Sequence, residues 1–251
     1  MKSTEAGHTF LARLGKTRLR PGGVRATDWL LDHAGFAPGQ EVLEIACNMG
    51  TTAIEIAKRF GVRMTGLDRD EAALEKARAN AARAGLADRV SFQNGNAMEL
   101  PFPDSSLDIV INEAMLTMYA PAAKEKLVRE YWRVLKPGGR LLTQDVMLSD
   151  NAPSDLVPTL QAAINVQAQP LTRQGWTDLF LGQGFSGVTV ETGPMSLLSP
   201  MGLIRDEGLC GTARILCNAL KPENRDGFKT MFGVFSRFHH HLNFIAVRSL
   251  K

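Results

Sequence analysis

The sequence has little of what builds secreted, metal-binding or membrane-spanning proteins. Its 251 residues include only three cysteines, Cys47, Cys210 and Cys217, an odd set without metal-ligand spacing. This predicts neither a disulfide framework nor a metal centre. No apolar run approaches the roughly 18 residues of a membrane span, and the segment Met1–His8 lacks the apolar core of a signal peptide. We therefore expect a cytoplasmic protein without a metal ion.

The net charge and the aromatic content of the chain are also low. The net charge is +3 and aromatic residues make up 7% of the chain, whereas an enzyme that acts on nucleic acid needs a basic face with aromatic side chains. Only residues 1–25 are clearly basic. The hydrophobic content of 44% is typical of a globular chain, and the length suits one α/β domain, alone or with an added cap. Nucleic acid is thus disfavoured as a partner.

Residues 41–70 carry the most informative pattern. An apolar run at 42–45 predicts a strand that is buried on both faces, and small, turn-forming residues follow at 46–50. Apolar residues then recur at helical spacing up to Gly61, and a second apolar run leads into Asp68. This order predicts one βαβ unit with a nucleoside-binding loop. Backbone N–H groups of such a loop can hold an anionic group, and Asp68 can accept both hydroxyls of a ribose.

The loop also discriminates between nucleoside cofactors. A dinucleotide site needs G-x-G-x-x-G, but the equivalent positions hold Ala46, Asn48 and Gly50, and no lysine follows as in a phosphate-binding loop. Glu44, directly before the loop, disfavours a diphosphate and suits a ligand with a positive end. These features argue against a nicotinamide oxidoreductase and predict S-adenosylmethionine (SAM) as the cofactor. An ordinary strand–helix turn without a ligand is the alternative.

The same loop resembles motif I of the class I SAM-dependent methyltransferases, which has the form acid-x-G-x-G-x-G. Glu44 and Gly50 match this motif, whereas Ala46 and Asn48 depart from it. Asparagine tolerates a positive φ better than most residues, so Asn48 is a suitable substitute for glycine. The resemblance implies an enzyme that uses SAM.

Two later segments indicate which branch of the class the sequence resembles. Residues 100–111 combine Leu-Pro-Phe-Pro-Asp-Ser-Ser-Leu-Asp with an apolar strand, and residues 130–142 contain Pro137-Gly138-Gly139 after a helix. Both resemble the ubiquinone/menaquinone C-methyltransferase-like branch of the class, and the likeness covers about residues 40–147. It implies an α/β fold, a Rossmann-like three-layer sandwich. Its mostly parallel seven-stranded sheet would have an antiparallel last strand.

The chain divides into four predicted segments. They are an N-terminal helical lid segment at 1–39, a SAM-binding Rossmann-like core at 40–194, a helical cap insertion at 195–241 and the last core strand at 242–251. The apolar cap stands between strands six and seven, where a methyltransferase core normally has a tight hairpin. It could line an acceptor pocket or form a homodimer contact.

The motifs assign a set of cofactor-binding residues. Many family members have an acid at the position of Asn96 that contacts the adenine amino group, and the side-chain carbonyl of Asn96 could accept that hydrogen bond. The predicted cofactor-binding residues are Glu44, Ala46, Cys47, Asn48, Gly50, Thr51, Asp68, Arg69, Asn96, Ala97, Met98 and Asn112.

Catalytic residues are harder to predict, because the donor is already activated by its positive charge. The protein needs mainly to hold the acceptor in line and to exclude water. A general base is required only for a poorly acidic acceptor. Since the carboxyl ends of parallel strands face the ligand, Glu113 is the first candidate, followed by Tyr119 and His8.

We therefore expect a SAM-dependent methyltransferase that acts on a small, partly apolar molecule by in-line transfer from the sulfonium. Two alternatives remain open from the sequence. One is an RNA methyltransferase, and the other is a non-catalytic SAM-binding or scaffold protein. An arginine of the basic lid segment could pair with an anionic substrate group.

Overall fold

A computed structural model describes residues 5–251; the first four residues of the predicted lid segment lie outside this range. The helices are α1 (Gly7–Leu14), α2 (Gly23–Ala34), α3 (Thr51–Phe60), α4 (Glu71–Arg83), α5 (Pro121–Val134), α6 (Leu156–Ile164), α7 (Arg173–Gly182), α8 (Pro200–Ala219) and α9 (Pro222–Arg237). The strands are β1 (Glu41–Ile45), β2 (Arg63–Asp68), β3 (Val90–Asn94), β4 (Leu107–Glu113), β5 (Leu135–Leu148), β6 (Leu171–Thr172), β7 (Ser186–Pro194) and β8 (Leu242–Leu250).

The strands form one sheet in the order β3-β2-β1-β4-β5-β8-β7. Neighbouring strands pair in parallel except at β8, which is antiparallel to both β5 and β7. This confirms the predicted mostly parallel sheet with an antiparallel last strand. The prediction of seven strands missed β6, which adds two residues beside the end of β5. A strand of two residues is too short to show an alternating pattern.

Helices cover both faces of the sheet, which produces the three predicted layers. One apolar core packs α2, α3 and α4 against β1 and β4, and the other packs α5 and α7 against the opposite face. Val42 and Leu43 in β1 point to opposite faces and are both almost fully buried. The apolar run that predicted a two-sided buried strand therefore corresponds to the centre of the sheet.

The cap insertion consists of α8 and α9, which lie between β7 and β8. Phe10, Leu11 and Leu14 of α1 pack with apolar residues of both cap helices, among them Leu203 and Met231. The N-terminal helix and the cap thus share one apolar core. We call α1, the segment 15–22, α8 and α9 the roof.

A buried ionic cluster ties the N-terminal part of the roof to α8. The side chain of Lys16 is fully buried, and its Nζ lies 3.4 Å from a carboxylate oxygen of both Asp206 and Glu207. Glu207 also accepts hydrogen bonds from the backbone N–H of Thr17 (2.9 Å) and of Arg18 (3.1 Å). Burial opposes ionisation, but these hydrogen bonds and the charge of Lys16 lower the pKa of Glu207. The cluster holds the segment that follows, including Arg20, above the sheet.

Among the helices of residues 5–251, none is both long and apolar enough to cross a membrane.

Candidate active site

The loop after β1 places three alternate residues in the left-handed region. Their φ angles are +55° at Ala46, +49° at Asn48 and +72° at Gly50. The prediction that Asn48 would take a positive φ is confirmed. Ala46 adopts the same conformation at a steric cost of about 1–2 kcal/mol. The three glycine positions of the resembled motif are therefore conformational requirements of this turn.

Gly50 has no room for a side chain. A Cβ atom there would lie 2.3 Å from the ring of Phe92, in addition to the unfavourable φ. Gly50 is also the N-cap residue of α3 and has no side chain to cap the first turn. The Glu44 carboxyl accepts the backbone N–H of Ala53 in that turn. The N–H groups at the start of a helix attract an anionic group, so the remaining ones suit such a ligand.

Two adjoining cavities lie around this loop, at the carboxyl ends of β1, β2 and β4. The β2-side cavity, about 460 Å³ with its mouth, is lined by Ile45, Ala46, Leu67, Asp68, Arg69, Gly95, Ala97, Met115 and Tyr119. The α3-side cavity, about 600 Å³, is lined by Thr17, Leu19, Arg20, Glu44, Ile45, Ala46, Cys47, Asn48, Met49, Thr51, Thr52, Glu113 and Ala114. Because Ile45 and Ala46 belong to both walls, the two cavities form one groove across the end of β1.

Most of the predicted cofactor-binding residues meet in this groove. The residues Glu44, Ala46, Cys47, Asn48, Thr51, Asp68, Arg69 and Ala97 line one cavity or both. Gly50, Asn96, Met98 and Asn112 line neither. Gly50 shapes the turn instead, and the amide of Asn112 donates a 2.8 Å hydrogen bond to the buried hydroxyl of Tyr131.

Asp68 anchors the loop to β2. One carboxylate oxygen accepts the backbone N–H of Asn48 at 2.8 Å, and the other accepts those of Arg69 at 2.7 Å and Asp70 at 3.1 Å. These bonds fix the carboxylate in the wall of the β2-side cavity. The side-chain oxygen of Asn96 is also engaged, since it accepts hydrogen bonds from the guanidinium of Arg69 and the backbone N–H of Met98.

Glu44 is the most unusual acid of the groove. It is only 6% exposed, and this burial raises its pKa to about 8, with the charge of Glu113 acting in the same direction and that of Arg20 against it. One carboxyl oxygen, Oε2, is buried and has no hydrogen-bond partner within residues 5–251. A buried carboxyl oxygen without a partner is costly, so this position fits a ligand that brings a donor or a positive charge.

Arg20 connects the roof to this acidic wall. Its guanidinium lies 2.9 Å from Oε2 of Glu113 and donates hydrogen bonds to the hydroxyls of Thr27, at 2.8 Å, and Thr52. Glu113 also accepts a 2.8 Å hydrogen bond from Gln144. The basic charge of residues 1–25 predicted an arginine in the lid segment, but it did not indicate which of these arginines would reach the site. For Thr52 and Gln144 the sequence contains no motif that indicates a functional role. Only their positions, after the loop and in β5, could have suggested one.

A third cavity, the roof cavity, adjoins the groove. Its volume is about 670 Å³ with its mouth, and its wall is almost entirely apolar. It is enclosed by α1, α6, the cap and the ends of β4 and β5, and it shares Leu19 and Ala114 with the α3-side cavity. Among residues 5–251, only these two are common to both walls, so the two cavities meet there.

Few polar side chains line the roof cavity, and among residues 5–251 Asp145 is its one acid and is almost fully buried. Its two carboxylate oxygens accept the backbone N–H groups of Thr117 at 3.0 Å and Val146 at 2.8 Å. Burial raises the pKa of Asp145, although the hydrogen bonds from Thr117 and Val146 act against this. His8 lines the same cavity from α1 and is exposed.

The structure does not bring the three predicted catalytic residues together. Glu113 lies in the α3-side cavity, held by Arg20, Thr27 and Gln144. Tyr119 lines the β2-side cavity, and His8 lines the roof cavity. Among the three, only His8 borders the roof cavity.

Known proteins resemble this chain at two levels. Residues 42–139 match a protein family described as a methyltransferase domain. Over 251 residues, and 100% of both chains, the sequence is 55% identical to an uncharacterised protein of Haemophilus influenzae.

Named methyltransferases match the core half of the chain. The sterol 24-C-methyltransferase ERG6B of Gibberella zeae is 36% identical over 127 residues, which are 51% of this chain and 33% of the relative. The 27-O-demethylrifamycin SV methyltransferase of Amycolatopsis mediterranei is 37% identical over 125 residues, 50% of this chain and 45% of the relative. The chain thus spans less than half the length of these two enzymes.

A solved structure extends the likeness of the fold to nearly the whole chain. The phosphoethanolamine N-methyltransferase 2 of Haemonchus contortus, in complex with SAM, has a TM-score of 0.75 at 20% identity and covers 98% of this chain and 56% of its own. The [4+2]-cyclase SpnF has a TM-score of 0.72 at 20% identity, covering 90% and 80%. The match over the full length shows that the chain belongs to the same family as the Haemophilus protein. The matched methyltransferase domain and the named relatives identify it as a class I SAM-dependent methyltransferase.

Proposed function

We propose that this enzyme transfers a methyl group from SAM to a small, largely apolar acceptor that occupies the roof cavity. The observation that carries the proposal is the contact between two unlike cavities. The α3-side cavity is polar and charged, the roof cavity is apolar, and Leu19 and Ala114 belong to both. Donor and acceptor would meet at these two residues.

The groove offers a partner for each polar part of the cofactor. Asp68 would accept the ribose hydroxyls, and the first turn of α3 together with Arg20 would hold the carboxylate. Glu44 would face the ammonium group. The partnerless Oε2 of Glu44 supports this assignment, since a cationic donor would satisfy it.

The charges of the α3-side cavity favour a cation over a diphosphate. The guanidinium of Arg20 interacts electrostatically with the carboxyl groups of both Glu44 and Glu113. When both carboxyls are ionised, Arg20 can balance only one of them. The site therefore gains most from a ligand with a net positive end, in a setting where burial makes charge interactions strong.

The bound cofactor supplies a methyl group that its sulfonium charge has already activated. The remaining tasks belong to the chain, which must orient the acceptor and exclude water. The apolar roof serves both purposes. If the acceptor must lose a proton, the residues of the roof cavity that could take it are Asp145, whose pKa burial raises, and His8. Glu113 and Tyr119 stay predictions.

We further propose that the enzyme lies near the ubiquinone/menaquinone C-methyltransferase-like branch. Support comes from the motifs at 100–111 and 130–142 and from the likeness to a sterol 24-C-methyltransferase. That enzyme is named for a carbon acceptor on an apolar molecule, which agrees with an apolar roof cavity.

Titration calorimetry with SAM tests the cofactor assignment. Asp68→Ala should weaken SAM binding by about 1–3 kcal/mol, the range for a lost buried hydrogen-bond partner. Asp70→Ala is the matched control, because Asp70 caps α4 through Ala72 and Ala73 and lines neither cavity of the groove. Equal affinities for the Asp68→Ala variant and the wild type would contradict the ribose assignment.

A labelling experiment tests the acceptor class. The protein is incubated with methyl-labelled SAM and, separately, with a lipid extract and with total RNA from the same cells. We expect the label in the organic-soluble fraction. Label in RNA would support an RNA methyltransferase, and SAM binding without transfer to either fraction would support a non-catalytic SAM-binding protein.

A further inference from the structure

A fourth cavity lies on the far side of the roof cavity. This outer cavity, about 660 Å³ with its mouth, is formed by the beginning of α8 and the end of α9. Its wall includes Leu198, Pro200 and Phe232, with Ser236 and His239 among its polar residues. Three further residues, Met195, Phe235 and Leu242, line both the outer cavity and the roof cavity.

We propose that the acceptor is an amphiphile with an extended hydrocarbon tail, and that the tail passes from the roof cavity into the outer cavity. Its reactive head would lie at the Leu19 and Ala114 passage, and its tail would leave between α8 and α9. This inference rests on the proposed function, because it assumes that the acceptor binds in the roof cavity.

The residues between the two cavities support a passage. Leu242 is fully buried at the start of β8, where the ladder with β5 fixes its backbone. Met195 and Phe235 are only half-buried. Methionine is unbranched and adapts to irregular spaces, and a half-buried ring at the end of a helix has room to change rotamer. Two movable side chains and one fixed wall can therefore admit a flexible tail.

The rim of the outer cavity points to the same use. Phe232 is 41% exposed in its wall, and Phe235, which also lines it, is half-buried. Large apolar side chains at a cavity mouth lose contact with water when an apolar ligand enters, which strengthens binding. A compact acceptor confined to the roof cavity would leave them exposed.

Polar residues line each of the two cavities. Asp145 and His8 line the roof cavity, whereas Ser236 and His239 line the outer cavity. The wall that the two cavities share is apolar, since it consists of Met195, Phe235 and Leu242. A molecule with a polar head and an apolar middle matches this order.

The experiment measures how affinity depends on tail length. The probes are octanol, decanol, dodecanol and tetradecanol, which compete with a fluorescent apolar dye for the protein saturated with S-adenosylhomocysteine. Burial of each added methylene is worth up to about a fourfold gain in affinity. For the wild type we expect the affinity to rise along the whole series.

Ser236→Trp is designed to fill the outer cavity from its exposed rim. Thr230→Trp is the matched control, because Thr230 is exposed on the same helix and lines neither cavity. We expect Ser236→Trp to bind octanol within about twofold of the wild type and to bind tetradecanol at least tenfold more weakly. The Thr230→Trp variant should follow the wild type.

A second variant acts in the opposite direction and does not depend on how well tryptophan is accommodated. Phe235→Ala removes one of the two movable side chains from the shared wall. We expect tetradecanol to bind this variant more tightly relative to octanol than it binds the wild type. If the wild type and all three variants show the same affinity for every alcohol, the extended tail is refuted.

SAM titration of the same preparations separates this inference from the proposed function. A wild type that binds SAM but shows no dependence on tail length contradicts only the extended tail. A wild type that does not bind SAM contradicts the proposed function itself.

Discussion

The Rossmann-like core and the roof are built on different physical principles. In the core, each conformation is specified locally: the turn at 46–50 needs positive φ angles, and β1 needs apolar side chains on both faces. In the roof, the decisive contacts join distant parts of the chain, such as Lys16 and Asp206, which are 190 positions apart. The core has the fold that binds a cofactor shared by many enzymes, whereas we propose that the roof shapes the space for the acceptor.

This difference explains why the resemblance to known families ends where it does. The likeness of the sequence covers the core, in which backbone geometry restricts the choice of residues. In our proposal the residues of the roof are restricted only by one particular acceptor and by their own packing. The Haemophilus protein matches over the roof as well, so we expect the two proteins to share an acceptor.

The largest effect is expected from a substitution that destabilises the roof without touching the Rossmann-like core. Lys16→Met leaves the carboxylates of Asp206 and Glu207 buried without their cation, and removing one partner of a buried ion pair typically costs about 3–5 kcal/mol. We expect this loss in the free energy of unfolding from urea titration. The Arg63→Met variant removes a solvent-exposed ion pair with Glu41 at the edge of β1 and β2. Its free energy of unfolding should fall by less than about 1 kcal/mol. Equal losses would contradict a buried cluster.

The next effect concerns the junction of the two regions at Glu44. With its pKa near 8, Glu44 is protonated in the ligand-free protein at pH 6–7, whereas a bound ammonium would favour the ionised carboxylate. SAM binding should therefore release about one proton and tighten about tenfold from pH 6 to pH 7. Calorimetry in two buffers of different ionisation enthalpy measures the proton count. In Glu44→Gln the release should vanish; an unchanged release would contradict the assignment.

The same titration acts on stability with the opposite sign. Because the folded pKa of Glu44 lies above its ordinary value of 4.5, the neutral carboxyl is favoured in the folded state. Its contribution is fully present below about pH 4.5 and is lost as the pH rises towards 8. Without ligand, the wild type should lose more stability across this interval than Glu44→Gln. Urea titrations of both proteins at several pH values measure the difference, and parallel curves would contradict the raised pKa.

The smallest effect lies within the core loop. Ala46→Gly removes a left-handed alanine, and this relief outweighs the greater backbone freedom of glycine by about 0.5–1 kcal/mol. We expect a higher midpoint of urea unfolding and retained SAM binding. Ala82→Gly, on the exposed face of α4, should instead destabilise the protein by about 1 kcal/mol. Destabilisation of similar size in both variants would contradict the strain assigned to Ala46.

The sequence allowed most of the core to be predicted but only part of the site. The βαβ unit, the sheet with its antiparallel last strand and the left-handed Asn48 all follow from local patterns. The position of Arg20 could not be derived, because it depends on the tertiary cluster of Lys16 with Asp206 and Glu207. Asn112 lies near the end of β4, yet its amide donates a hydrogen bond to the buried hydroxyl of Tyr131, and Asn112 lines neither cavity of the groove.

The cavities of the roof were beyond prediction for a related reason. The apolar residues of the cap indicated helices, but they did not reveal that Met195 and Phe235 stand between two cavities. Cavity shape depends on how helices from three parts of the chain meet, and no periodic pattern records that arrangement.

The most direct test of the account is a crystal structure of the protein with S-adenosylhomocysteine. We expect the ribose at Asp68 and the amino group at Glu44. The sulfur should lie at the boundary formed by Leu19 and Ala114 and should face the roof cavity. A ligand elsewhere, or a sulfur separated from the roof cavity by protein, would contradict the claim that donor and acceptor meet at that boundary.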